Sequence, residues 1–261
     1  MPRREMVRLL AGGDEAAARC RVLVALGNPD NARALVDAGV KLTGSARPAE
    51  LLLVRLIPTP RAPEFRSGLR DEEIQVSQSI EAIEHLCQQA SAAGVAARAV
   101  SFLSDDVGQD LAFIADTQQC DIVLLGWHRP SLEREVIRAL VRRVSKLAPS
   151  DVIVFVDRTG TGIRQGLSAP VLVHAGSKEA GGSALRIGKR LAESLQRPLQ
   201  QLADRNALDA FLQQSDKAAV VVLPVQATAM EAGDIDQLTT SLTAAGCPVL
   251  AVRVARGKSR A

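Results

Sequence analysis

Continuous apolar runs alternate with amphipathic stretches along this chain. RVLVAL (21–26) predicts a buried strand. It ends in Gly27-Asn28-Pro29-Asp30, and Pro29 suits the first position of a helix over about 29–44. In that helix Ala32, Leu35, Val36, Gly39, Val40 and Leu42 form an apolar stripe, with Arg33, Asp37 and Lys41 on the polar side. ELLLVRL (50–56) is the next strand, and the three prolines and the glycine of IPTPRAPEFRSG exclude regular structure after it. A long helix over 69–93 points Ile74, Ile80, Ile83 and Leu86 inward and is capped by Gly94. VAARAVSF (95–102), DIVLLG (121–126) and DVIVFV (151–156) predict three more strands. Asp105 and Asp106 open the helix between the first two, where a carboxylate satisfies free N–H groups. A helix over 131–147 precedes the third, with Val136, Ile137, Leu140, Val141 and Val144 on one face.

The order restarts at Pro170. PVLVHAGS repeats the opening strand and turn, and AGGSALRIGKRLAESL repeats its helix. A short strand (RPLQQLA), a short helix (NALDAFLQQS), a strong strand (AAVVVLPV), a helix over about 232–245 and the strand PVLAVRV complete the chain. Strands that feed helices through small or polar turns build mostly parallel sheets, with ligands at their carboxyl ends. Internal duplication explains the restart, and the second unit lacks one strand–helix step. The expected division is an extension at 1–20, a first unit at 21–160, a linker at 161–169, a shorter unit at 170–255 and a tail at 256–261. One continuous sheet of eight or nine strands is the alternative, and differs only at the junction.

Composition narrows the function. A formal charge of +3, from 32 basic and 29 acidic residues, argues against nucleic acid as a partner, as does an aromatic content of 2%. Cys20, Cys87, Cys120 and Cys247 are scattered, with neither a CxxC pair nor zinc-finger spacing, and read as reduced structural thiols of a cytosolic protein. No metal is expected. No segment approaches eighteen uninterrupted apolar residues, and the first twenty residues do not form a secretory signal. Neither a G-x-S-x-G elbow nor an HExxH pair is present, so the expectation is a protein that is not an enzyme.

Three places could hold a ligand. Gly126, His128 and Arg129 form the strongest: glycine permits close backbone approach, the following helix offers N–H groups, and Arg129 adds a forked donor for phosphate or carboxylate. The plainer alternative is a tight turn. Gly27, Asn28 and Asp30 would form the opposite lip, although Asn28 is equally an ordinary helix cap. Gly176, Ser177, Gly182 and Ser183 make a Gly- and Ser-rich turn able to cradle an anion, without the GKS or GKT of a P-loop. Arg134, Arg138, Arg142 and Lys146 line one helix face, solvated or facing an acidic partner.

RVLVALGNPDNARALVDAGVKL, DIVLLGWHRP, VSKLAPSDVIVFVDRTG and VLVHAGSKEAGGSALRIGKRLA together resemble the universal stress protein family. More narrowly, they resemble the soluble C-terminal region of bacterial monovalent cation/proton antiporters. The resemblance implies α/β, Rossmann-like tandem domains with mostly parallel sheets, paired through DVIVFVDR and PVLAVRV. It further implies a regulatory module at the cytoplasmic face of the inner membrane, with the membrane portion of the same transporter as partner, or else a free-standing tandem protein binding a nucleotide. A homodimer is also expected. ATP-binding relatives carry an acidic residue after the first strand and a G-x2-G-x9-G-(S/T) motif. Here Gly27-Asn28 replaces the acid, Arg129 the second glycine, and Ala139-Leu140 the Gly-Ser. These departures argue against ATP in the family's usual mode and leave another nucleotide or small anion as the ligand class, with no certain cofactor.

Overall fold

A computed structural model describes residues 20–27, 31–45, 48–59, 69–127, 134–157, 160, 162–163, 169–174, 178–202, 210, 218–225 and 247–253, without side chains at 69–73, 75, 134–136 and 178–180. The elements of the amino-terminal part are β1 (Cys20–Ala25), α1 (Ala32–Thr43), β2 (Ala49–Pro58), α2 (Leu69–Ala92), β3 (Ala96–Ser104), α3 (Val107–Thr117), β4 (Ile122–Trp127), α4 (Arg134–Leu147) and β5 (Asp151–Val156). Then come β6 (Val171–His174), α5 (Lys178–Leu195), β7 (Leu199–Leu202), β8 (Val220–Pro224) and β9 (Val249–Arg253). The helices expected around 206–215 and 232–245 fall almost wholly outside the described residues.

All nine strands join one sheet in the order β3-β2-β1-β4-β5-β9-β8-β6-β7. Every neighbouring pair is parallel except β5 and β9, which run antiparallel with Val154 opposite Ala251. The α/β fold with a mostly parallel sheet is therefore as the sequence predicts, and β5 and β9, the expected matching edges, pair within one continuous sheet. All six residues of β5 are buried, because successive side chains enter opposite cores. Val152 and Val154 join Leu111, Ile114, Val141 and Val144 beneath α3 and α4. Ile153 and Phe155 join Leu35, Ile83, Leu86 and Ile187 beneath α1, α2 and α5.

The same local packing recurs on both sides of the junction. An ideal Cβ on Gly39 of α1 would lie 3.0 Å from Val24 Cγ2, and one on Gly188 of α5 would lie 2.2 Å from Val173 Cγ2. The offset of 149 residues from Val24 to Val173 also separates Gly39 from Gly188. In each case a helix lies against its preceding strand at a distance that glycine sets.

Four expectations need correction. The helix expected from residue 29 begins at Ala32, with Asn31 at its cap position. Lys41 is buried rather than solvated, paired with Asp37 and donating to the Ile163 carbonyl at 3.4 Å, because residue 163 folds over α1. The irregular segment starts later than expected: β2 runs on through Ile57 and Pro58, opposite Leu103 and Ser104. Ile74 is 53% exposed. It lies nine residues before Ile83, about two and a half helical turns, and so points to the opposite side of α2. Ser79 takes a buried place on that helix and bonds Ser101 Oγ at 2.7 Å.

All four cysteines are free thiols. Burial pushes the Cys120 thiol up to about 12, with a smaller lowering effect from the Arg21 charge and a further raising one from Asp121. No described helix is long and apolar enough to cross a membrane.

Candidate functional site

The carboxyl ends of β1, β2 and β4 meet at a cavity of about 280 Å³. Gly27 and Gly126, expected as opposite lips, both line it. They converge because β1 lies between β2 and β4, with Ala25 opposite Val54 and Leu125. Asn31 contributes at the start of α1. Leu125 and Leu56 supply aliphatic wall from the strands, and Leu111, Ile137 and Leu140 supply it from α3 and α4. No titratable side chain lines the cavity among the described residues. Asn28, Asp30, His128 and Arg129 lie outside the described residues.

The start of α3 is closed by its own chemistry. Asp106, an expected cap, accepts from the Gln109 N–H at 3.0 Å. Arg143 of α4 donates to Asp106 Oδ2 at 3.0 Å and to Gln109 Oε1 at 3.3 Å. Arg143 therefore joins two helices rather than extending a solvated stripe.

The second candidate turn differs from expectation. Gly182 and Ser183 lie inside α5, which begins at Lys178, beyond the first four N–H groups that a helix leaves free. The buried Ser183 hydroxyl accepts from Arg186, which also pairs with Asp151 Oδ2 at 2.6 Å. Gly182 and Ser183 are therefore helical residues rather than part of a turn, and Ser183 serves the packing of α5. Gly176 and Ser177 lie outside the described residues, and the structure does not bring Gly182 or Ser183 to the cavity lined by Gly27 and Gly126.

At the amino ends of the strands, Arg21 Nε donates to Glu50 Oε2 at 2.6 Å, Arg98 bonds Glu50 Oε1, and Arg98 Nη2 donates to Gln118 Oε1 at 3.0 Å. Burial acts to raise the Glu50 carboxyl, but the hydrogen bonds and charges of Arg98 and Arg21 outweigh it and hold it below its ordinary value. This cluster ties β1, β2 and β3 together away from the cavity. No group of three or more His, Cys, Asp or Glu able to hold a metal occurs among the described residues.

A sheet of this order, with a cavity at its carboxyl edge, defines a Rossmann-like α/β fold. The Universal stress protein family model matches residues 19–155, and the chain belongs to that family. Among solved structures, a universal stress protein from Archaeoglobus fulgidus DSM 4304 aligns with 91% of this chain and 97% of its own, at 12% identity and a TM-score of 0.63. The cytoplasmic domain of a prokaryotic cation chloride cotransporter aligns with 92% of this chain and 97% of its own, at 14% identity and a TM-score of 0.59. Comparison of the sequence with curated proteins gave no match. The two structural likenesses concern the fold.

Proposed function

We propose that this chain is a regulatory module that acts by binding a small ligand or a protein partner, without catalysis, as the cytoplasmic part of a cation transporter. The observation that carries the reading is the cavity between Gly27 and Gly126. Its aliphatic walls and lack of a described base or nucleophile suit binding rather than chemistry. The position of Leu140 on the wall supports a nucleoside-like body over a triphosphate, since this is where the family's motif carries its final Ser or Thr. The link to transport is supported by the alignment of nearly the whole chain with a cotransporter's cytoplasmic domain. The specific antiporter is proposed on the sequence motifs alone. The division into units at 21–160 and 170–255 belongs to this reading, supported by the antiparallel junction and the paired glycine contacts. A homodimer would have to use a surface other than the β5 and β9 edges, which pair within the chain.

Calorimetric titration with adenosine, AMP and ATP tests the ligand. Saturable binding is expected, with ATP no tighter than AMP. Arg129→Ala should weaken AMP by about 1.5–3 kcal/mol if its guanidinium makes a charge-assisted bond. Silence from all three compounds would remove the nucleotide and leave a partner-binding role. Fractionation of the tagged protein, expressed from its own locus, tests the setting. Recovery with a polytopic membrane protein supports the transporter module. Recovery free of membranes favours the second reading, a free-standing tandem universal stress protein, which the alignment with the Archaeoglobus structure supports.

A further inference from the structure

A second cavity, of about 240 Å³, lies on the other face of the sheet between α1, α2 and the ends of β1 and β2. Its floor is Leu26, Ile83 and Leu86, all buried within the core under α1 and α2. Around that floor stand Arg33 from α1, Arg55 from β2 and His85 from α2. The placement of Arg55 follows from strand alternation: Leu51 and Leu53 enter the core under α1 and α2, Leu52 and Val54 enter the other, and Arg55 falls on the first face. Ser101 Oγ donates to the Arg55 carbonyl at 3.0 Å and bonds Ser79 of α2 at 2.7 Å, fixing the backbone that carries the guanidinium.

Four other described arginines are held in ion pairs. Arg21 and Arg98 pair with Glu50, Arg143 with Asp106, and Arg186 with Asp151. Among the described residues no carboxylate pairs with Arg33 or Arg55. Asp37, on the same helix as Arg33, bonds Lys41. Arg33 and Arg55, with no ion-pair partner among the described residues, border an apolar floor together with His85, a lining that suits a ligand with a charged head and a small apolar body. A phosphate monoester, with three terminal oxygens, can occupy more of these donors than a carboxylate can.

We propose that the cavity between α1 and α2 binds a small organic phosphate, its phosphoryl oxygens on Arg33, Arg55 and His85 and its apolar body on Leu26, Ile83 and Leu86. The proposal concerns a different cavity from the nucleoside-like site, which opens on the opposite face and shares Leu26 with it. Titration of the full chain with phenyl phosphate, benzoate and benzyl alcohol tests it. Phenyl phosphate should bind saturably and at least ten-fold tighter than benzoate, and benzyl alcohol should not bind. Arg33→Gln, at an exposed position, and Arg55→Gln should each weaken phenyl phosphate ten-fold or more. Leu140→Gln, in the other cavity, should change it less than two-fold. Urea midpoints of the variants separate loss of the site from loss of the fold. No saturable binding of phenyl phosphate, or equal affinity in Arg33→Gln and the parent, would overturn the site. Tighter binding of benzoate would overturn the choice of phosphate. Failure of adenosine, which carries no phosphate, to bind would count against the Gly27–Gly126 cavity alone.

Discussion

Gly188 and Gly39 hold equivalent places, yet the space around them differs. A methyl group on Gly188 would approach Val173 Cγ2 to 2.2 Å, while one on Gly39 would meet Val24 Cγ2 at 3.0 Å. Overpacking of a core typically costs about 1–3 kcal/mol, against a gain of up to about 1 kcal/mol from replacing glycine in a helix. Gly188→Ala should therefore destabilise the protein by roughly 2 kcal/mol, and Gly39→Ala by less than about 1 kcal/mol. Urea unfolding measures both, and Val173→Ala should recover part of the loss in the Gly188→Ala background. An unchanged midpoint for Gly188→Ala would show that α5 can move off β6. At this scale the sequence exposed the Gly27 and Gly126 lips, because glycine after an apolar strand is a local signal. It did not expose Arg55 or Lys41 as residues with special surroundings. Their roles depend on which helix or loop closes over them, and that is a tertiary fact.

The strands were legible to within a residue or two at most ends, since β1, β4, β5 and β8 are runs of mostly apolar side chains buried on both faces. Helix faces were less secure. Ile74 reads as inward because it is apolar, although its angular position opposes Ile83. Ser79 would have looked polar and outward, but its hydroxyl has a partner in Ser101. The polar cluster joining β1, β2 and β3 was invisible because Arg21, Glu50, Arg98 and Gln118 are far apart in sequence. That cluster gives a pH prediction. Glu50 titrates below its ordinary value of 4.5, so its ionised form contributes stability above that value. The contribution is lost as pH falls through the lower, folded-state value. Denaturation of the parent and Glu50→Gln should differ most above pH 4.5 and converge on acidification. A constant difference across that range would mean that the carboxylate is not held by Arg21 and Arg98.

Across the whole molecule, the junction of β5 with β9 is both the one antiparallel pairing among the described strands and the place where polar groups reach across. Arg253 is 1% exposed, and its guanidinium donates to the carbonyls of Ser150 at 3.1 Å and Ala148 at 3.4 Å, near the carboxyl end of α4. A cation there complements the partial negative charge at a helix end. Arg186 reaches from α5 to Asp151 on the same margin. Without β9, β5, apolar from Val152 to Val156, would become a sheet edge with unpaired N–H and C=O groups, a template for another chain. A chain ending at residue 169 should accordingly self-associate, through antiparallel β5–β5 contact in place of β5–β9. Light scattering would show dimers or larger species that dissociate when Val154 is replaced by Lys. A folded monomer of the shortened chain, with its far-ultraviolet spectrum intact, would mean that the first unit closes its own edge. The second unit would then be an addition to a finished domain rather than the other half of a shared sheet.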